Sequence, residues 1–386
     1  MSEHTCDIVI VGGGPVGAAA AIALRDSGLT VLVLEARPEA GNSSDARTLA
    51  MSHGSRLILE RLGIWSQIEP VTPIESIHVS QRGGFGRTLL RAQEAGLPAL
   101  GYVVRYARLQ QAFAGALESE HIALMAEADV TGMECAGDAI TIGFRRHGTV
   151  QSVTARLLII ADGGASAALR SGTTVKTKKY GQDAVVGLVE TSRPHEGTAY
   201  ERFTPDGPLA LLPFEDRYAL VWTTTPEAAD RLIGLNRDLF LEHLQRHFGD
   251  RAGRFTSIEA RSRFPLTLRY AADPVLPRAV MLGNAAQALH PIAGQGFNLG
   301  LRDAWELADT LLKNAALDPG SESCLAAYKA VRRPDRLRGI ALTHSLVRIF
   351  SNDIAPLRAA RGSALAMLDL LPPVKRAFMR RMIFGT

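Results

Sequence analysis

The stretch that most limits what this chain can become is its N-terminus, "CDIVIVGGGPVGAAAAIALRDSGLTVLVLEAR", residues 6–37. Ile8 to Val11 is an apolar, β-rich run, and Gly12-Gly13-Gly14-Pro15-Val16-Gly17 follows as G-x-G-x-x-G. An Ala-rich helix then runs to about Ser27 with Gly28 as its C-cap, and Thr30 to Leu34 reads as a second strand ending at Glu35. Strand, glycine turn, helix and strand in this order make a dinucleotide fingerprint rather than a chance glycine cluster. Gly12 permits the tight turn, Gly14 the close approach of a pyrophosphate, and Gly17 the packing of helix on strand. Glu35 at the second strand's end accepts hydrogen bonds from ribose hydroxyls and repels a 2′-phosphate. The site therefore suits FAD or NAD rather than NADP.

A second passage repeats the logic late in the chain. In "MLGNAAQALHPIAGQGFNLGLRDA", residues 281–304, a short strand (Ala279 to Leu282) gives way to Gly283-Asn284, Pro291, Gly294 and Gly296. From Leu299 onward Leu301, Ala304, Trp305, Ala308, Leu311 and Leu312 recur at helical spacing. Glycine brings backbone N–H groups close to a ligand, and a helix N-terminus attracts an electron-rich or anionic group. A third passage, "ARLLIIADGGASAALR" (155–170), has a strand from Leu157 to Ile160 that ends at Asp162-Gly163, with Ser166 and Arg170 at the start of a helix. In an open parallel sheet ligands sit at such strand ends, although Asp-Gly alone is also an ordinary turn.

Composition agrees with a globular enzyme. The chain has 386 residues, enough for two domains, with 46% hydrophobic and 21% charged residues. Cys6, Cys135 and Cys324 are widely spaced, which argues against a disulfide framework or a zinc site and for a reducing cytoplasm. No metal-ligand pattern, signal peptide, membrane-spanning run, repeat or low-complexity segment is evident, and nothing points to nucleic acid.

The three passages together resemble the class A flavoprotein aromatic hydroxylases, of the para-hydroxybenzoate hydroxylase fold. That family carries G-x-G-x-x-G, then D-G-x-x-S-x-x-R, then G-D-A-A-H…P…G-Q-G-x-N; here these fall at Gly12–Gly17, Asp162–Arg170 and Gly283–Asn298. "SSDARTLAMSHGSRLILERLGIW" (43–65), "AYERFTPDGPLALLPF" (199–214) and "GNAAQALHPIAGQGFNLGLRD" (283–303) are similar to the ubiquinone-biosynthesis branch, and within it to the 2-octaprenyl-6-methoxyphenol hydroxylases. The chain departs from the wider family at Asn284, where others have Asp, and at Gln287, where others have His.

The resemblance implies an α/β fold: a doubly wound FAD domain with an inserted, mostly antiparallel β-sheet substrate domain and a helical C-terminal region. The expected division is 1–72, 100–180 and 271–320 for the FAD domain, 73–99 and 181–270 for the substrate domain, and 321–386 for the helices. It implies FAD contacts from Gly12, Gly14, Pro15, Val16, Gly17, Glu35, Arg47, Arg108, Asp162, Gly163, Gly283, Asn284, Phe297 and Asn298. Pro291 with Gly294-Gln295-Gly296 should line the isoalloxazine ring and stabilise negative charge on the reduced flavin. His290 stands open between an acid/base and a packing residue. The implied reaction is hydroxylation of a polyprenylated phenol in ubiquinone biosynthesis, with NADPH or NADH and O₂, through a flavin C4a-hydroperoxide.

The implied substrate pocket lies between the flavin and a sheet from about Gly181 to Tyr270, with Tyr200, Phe203, Leu211, Pro213, Phe214 and Trp222 as candidate walls. Two other readings stay open: a different flavin enzyme on the same fold, such as a halogenase or prenyl-chain reductase, and a FAD-binding assembly subunit without catalysis. The halogenase W-x-W-x-I-P pattern is absent, since Trp65, Trp222 and Trp305 stand far apart. Residues 331–386 hold eleven Lys+Arg and three Asp, a net of +8 against +4 for the whole chain, so the remainder is −4. Val374, Phe378 and Met382 recur at four-residue spacing there, with Arg376 and Arg380 on another side. The pattern predicts a helix lying peripherally on the inner face of a membrane, or docking in a biosynthetic complex.

Overall fold

The computed structural model describes residues 4–38, 47–166, 169, 172–289, 294–350, 352 and 354–385. Its first layer is a sheet whose centre is parallel. The strand His4–Val11 lies between Val31–Leu34 and Thr149–Ile160, and Ala279–Met281 continues beyond the last. Register aligns the ends of the three passages: Val11 sits opposite Ile160, and Ile160 opposite Met281. The turns at Gly12, Asp162 and Gly283 thus leave the sheet side by side at its C-terminal edge, where open parallel sheets bind ligands.

Alternation along these strands feeds two cores. Ile8, Ile10, Leu157, Ile159 and Val280 pack with helices on one face, while Val9, Val11, Leu158, Ile160 and Met281 pack with the hairpin strand Ala139–Arg146 on the other. Burial of each such Ile or Leu contributes roughly 1.5–3 kcal/mol. Both faces are covered, which is why the strands read as continuous apolar runs.

Helix α1 (Pro15–Ala23) starts with Pro15 in its first turn, where a missing N–H costs nothing. It stops four residues before the expected Ser27, because the Ser27 hydroxyl donates to the Leu24 carbonyl (2.6 Å) and competes with the helical bond. Helices α2 (His53–Arg61) and α3 (Tyr106–Ser119) follow. Helix α4 (Pro226–Gly234) and helix α5 (Arg237–Phe248) are capped by the side chains of Thr225 and Asn236.

The second layer is a nine-stranded sheet among the described residues. It runs from Gln287–Ala288 through Ser262–Ala271, Val175–Thr191, Arg217–Thr224, Gly207–Phe214 and Thr198–Thr204 to Ser76–Gln81 and Arg87–Arg91, with Phe255–Ile258 alongside. All these pairings are antiparallel except that of Thr198–Thr204 with Ser76–Gln81. One face is sealed by α4 and α5 through Leu209, Leu211, Tyr218, Leu220 and Trp222 against Phe240, Leu244 and Phe248. The other faces a cavity closed by α6 (Gln295–Lys313), α7 (Glu322–Phe350), α8 (Ala355–Leu370) and α9 (Pro372–Phe384). The α/β architecture with a mostly antiparallel second sheet and C-terminal helices is the one expected.

Candidate functional site

At the nucleotide end the turn is built from backbone. Gly12 has φ +103°, and a Cβ there would lie 2.6 Å from the Ala161 carbonyl oxygen. A Cβ on Gly17 would lie 1.9 Å from the Gly12 oxygen. These two glycines join α1 to two adjacent strands. Gly14 is different: among the described residues nothing comes within 4 Å of a Cβ built on it. That open space at the N-cap of α1, which no side chain caps, is where a pyrophosphate fits. Pro15 and Gly17 are buried in the helix's first turns, and a Cβ on Gly283 would lie 3.2 Å from Val16 Cγ2.

Glu35 accepts from the Gly13 N–H at 2.8 Å and from Arg37 Nε at 2.9 Å. Burial pushes its carboxyl up, but the Arg37 side-chain and backbone donors and the Gly13 N–H outweigh it and hold it below the ordinary range. An ionised carboxylate at this strand end is what a ribose hydroxyl needs. Arg37 beside it escaped the sequence reading, although it lies only two residues on.

Asp162 is half-buried, and its two oxygens accept from Gly164 N (2.8 Å) and Ser166 N (2.6 Å), so the carboxylate shapes its own turn at the strand end. The Gly163 carbonyl accepts from Arg269 at 2.9 Å. Arg47 is exposed and stacks over the Tyr106 ring at 5.1 Å, and Arg108 donates to the Pro70 carbonyl at 3.3 Å. Arg170, His290 and Pro291 lie outside the described residues.

The late passage is a 3-10 turn, Gly283–Ala285, followed by α6. The helix begins at Gln295, four residues before the apolar pattern at Leu299. Gly294, at φ +60°, is its N-cap, and no side chain caps it. Gly296 and Phe297 therefore belong to the first turn of α6, whose N–H groups bear its positive end. Gln295 donates to the Met382 carbonyl at 3.4 Å. Asn298 is buried and spent on the protein: its oxygen accepts from Ser52 N (2.8 Å) and Ser55 Oγ (2.7 Å), and its amide donates to Gly294 O (2.8 Å). Its side chain thus positions the glycine turn, with its oxygen taken by two donors and one amide N–H left uncommitted. Asn284 is exposed on the 3-10 turn.

The other departure, Gln287, has a clear structural role. Its amide donates to Asp303 Oδ2 at 2.6 Å and its carbonyl accepts from Arg336 Nε at 2.8 Å. Asp303 also takes the Gly283 N–H (3.2 Å) and both Arg332 Nε and Nη2 (3.0 and 2.7 Å). Burial disfavours the Arg332 charge, yet Asp303, with Asp335 beyond it, raises its pKa. This buried network fixes the Gly283 turn from behind. Asp303 closes the quoted passage and gave no signal, because its partners lie 16 to 29 residues away.

Next to this groove lies a cavity of about 380 Å³. Gly294, Gln295 and Ser52 border it at one end; Leu346 and Phe350 of α7, Leu365 and Leu368 of α8, and Phe378, Met379, Met382 and Ile383 of α9 close it. From the sheet come Phe203, Ala210, Leu212, Val221 and Thr223. Of the expected walls Phe203 stands. Tyr200 borders the cavity, but its ring packs against Tyr218 and Phe248 across the sheet. Leu211 and Trp222 point to the α4–α5 side, and Pro213 and Phe214 lie off the lining. The C-terminal helix is also corrected: Phe378 and Met382, expected at a lipid surface, face the cavity. Arg332, Arg336, Arg361 and Lys375 are buried, so the tail's basic surface is smaller than its charge count.

The groove's residues fit a flavin dinucleotide: open space at Gly14, an ionised Glu35, an exposed Asn284 and an uncapped α6. A family model described as FAD binding domain matches residues 5–338. Ubiquinone hydroxylase UbiL of Rhodospirillum rubrum is 38% identical over 98% of this chain and 90% of its own length. The 3-demethoxyubiquinol 3-hydroxylase of Escherichia coli is 31% identical over 98% and 99%. The crystal structure of p-nitrophenol 4-monooxygenase PnpA from Pseudomonas putida DLL-E4 superposes with a TM-score of 0.79 at 18% identity, covering 99% of both chains, and shows the shared fold. With a family model spanning most of its length and relatives matching it nearly end to end, the chain belongs to the FAD-binding domain family of flavoprotein hydroxylases that includes the ubiquinone hydroxylases.

Proposed function

We propose that this protein is a FAD-dependent monooxygenase that hydroxylates the ring of a polyprenylated phenol in ubiquinone biosynthesis, with NADPH or NADH as electron donor and O₂ as oxidant. The observation that carries this reading is the cavity. It runs from the Gly294–Gln295 end of the flavin groove into a space walled by Leu, Phe, Met and Ile, and its size is that of a small-molecule site. A phenol ring near the groove and an apolar tail among the helices use both ends, each buried CH₂ contributing roughly 0.8 kcal/mol. When bound, the flavin supplies the redox chemistry. The chain orients the ring, keeps water out, and offers the positive end of α6 to developing negative charge. The chain carries one G-x-G-x-x-G turn, so NAD(P)H is assigned no dinucleotide domain of its own. Cells lacking the protein should accumulate an unhydroxylated prenyl phenol, with rescue by the wild type and none by Gly14→Val. An unchanged quinone pool would sink the reading.

Delivery of so apolar a substrate calls for a membrane. No helix among the described residues is long and apolar enough to cross one. At the α8–α9 corner, however, Met367, Leu370, Leu371 and Val374 are exposed, Leu370 at 77%, with Arg376, Arg380 and Arg381 exposed beside them. We assign this corner, in place of the Phe378–Met382 face, to peripheral contact with anionic lipid. Flotation with anionic vesicles should be lost in Leu370→Asp/Leu371→Asp and weakened by salt; equal flotation of wild type and variant contradicts it.

A further inference from the structure

A carboxyl group stands in the wall of the apolar cavity. Glu201 lies mid-strand in Thr198–Thr204, opposite Ala210 on one neighbour and Val79 on the other, and all three line the cavity. Strand alternation puts it on the same face as Ala199 and Phe203. It is the only acidic residue among the described residues that line this space. Its Oε1 is buried and has no hydrogen-bond partner. No charged group compensates it, and burial alone pushes its carboxyl up to about 7. Of the other polar residues that line the cavity, Asn298 is engaged with Ser52, Gln295 with Met382 and Thr88 with Asp369.

A buried acceptor without a donor is costly, and such a cost is relieved when a ligand brings the donor. The reaction proposed above brings one, a phenolic hydroxyl, into this cavity. We propose that Glu201 binds the substrate's phenolic hydroxyl and takes its proton during ring hydroxylation, an inference that rests on the function proposed above. The phenol O–H bond breaks, the proton moves to a Glu201 oxygen, and the electron pair left behind enters the ring. That makes the ring carbon a stronger nucleophile toward oxygen derived from O₂ through the flavin. The oxygen enters the ring as a hydroxyl group while the O–O bond breaks, the second oxygen atom leaves as water with the two electrons that NAD(P)H supplies, and the ring carbon then loses its hydrogen to solvent. The ring oxygen, now a carbonyl, recovers the proton from Glu201 as aromaticity returns. Glu201 ends as it began, and the ring has gained one oxygen atom.

The test uses the FAD-loaded full chain with a short-chain prenylated phenol and its O-methyl ether, which has no proton to give. Wild type should bind the phenol at least tenfold more tightly than the ether. Glu201→Gln, whose amide oxygen accepts a hydrogen bond but takes no proton, should keep its FAD and its reduction by NAD(P)H, narrow the gap between phenol and ether, and hydroxylate the phenol slower by about 10²-fold or more, the range for a lost general base. A narrowed phenol–ether gap is a result that a merely structural role does not give. A Glu201→Gln enzyme that discriminates and hydroxylates as the wild type does overturns the proposal. A wild type that binds the ether as tightly as the phenol also overturns it, and needs no variant to fold. A wild type that turns over no phenol at all fails one step earlier, at the proposed function itself.

Discussion

The two ends of the site are made differently. The nucleotide groove is a backbone construction: Gly12, Gly14, Gly17, Gly283 and Gly294 act through what they lack, within short spans of sequence. The cavity is a side-chain construction, assembled from the second sheet, α6, α7, α8 and α9. Backbone geometry demands particular residues at fixed spacing, so the groove can be read along the chain. A wall of Leu, Met, Phe and Ala demands only volume and apolarity, which many residues supply.

The groove itself contains two kinds of glycine, and separating them has the largest expected effect. In Gly17→Val the Cβ would sit 1.9 Å from the Gly12 carbonyl oxygen, a clash that backbone must move to relieve. The loss should be on the order of 5 kcal/mol, among the larger single-residue effects, and the chain should fail to accumulate folded. In Gly14→Val the Cβ meets no described atom, so stability should fall by no more than about 1 kcal/mol while FAD binding is lost. Thermal melts and flavin absorbance of the two variants check this. A Gly14→Val protein that stays yellow would falsify the assignment of Gly14 to the pyrophosphate.

Asp303 tests whether the groove is really backbone alone. Its side chain pairs with Arg332 and holds the Gly283 N–H, both partners and itself being buried. Asp303→Ala leaves Arg332 as a buried charge with one fewer partner, a loss of about 3–5 kcal/mol. Denaturant titration measures it. A loss under 1 kcal/mol would mean that the Gly283 turn keeps its shape unaided.

This is also where sequence reading stops. The three motifs, the strand–turn–helix settings of the first and last, and the two larger sheets were legible because each is local or fixed by a glycine. Gln287 was visible only as a departure from a pattern, since its partners Asp303 and Arg336 are brought to it by α6 and α7. In the second sheet both faces are apolar. Alternation therefore could not tell Leu211 and Trp222, which face α4 and α5, from Leu212 and Val221, which face the cavity. The bulky residues drew attention, but they fill the packed side. In α9 the four-residue spacing of Val374, Phe378 and Met382 was real, yet it fits a cavity wall as well as a lipid surface.

On the cavity side, the strained group is Glu201. Its carboxyl titrates near 7 when folded against the ordinary 4.5, because burial disfavours the charge. For a carboxyl raised by folding, the sign is clear. The native state is favoured below pH 4.5, and stability falls as pH rises from there through 7, beyond which the loss is complete. Glu201→Gln should therefore stabilise the ligand-free protein at pH 8 by up to about 3 kcal/mol, with the gain vanishing near pH 4. Melting temperatures of both proteins between pH 4 and 8 decide it. A gain that does not depend on pH would point to packing rather than charge, and would make the cavity as neutral as its apolar lining implies.

The smallest effect returns to the groove, at the position where a side chain is expected to touch the flavin's ribityl chain. Asn284 is exposed on the Gly283–Ala285 turn and makes no side-chain hydrogen bond among the described residues. Its amide oxygen can accept from a ribityl hydroxyl, but without charge. Asp at this position would replace that bond by a charge-assisted one, about twice as strong. Exposure keeps the added charge hydrated, so the ligand-free fold should melt within about 0.5 kcal/mol of wild type. Asn284→Asp should then bind FAD several-fold more tightly, a gain of about 1 kcal/mol. Equilibrium dialysis of FAD, with a melt of the apoprotein as control, separates the two quantities. Unchanged affinity would move the ribityl contact away from residue 284, and would leave the groove as a site made by backbone and the Glu35 carboxylate alone.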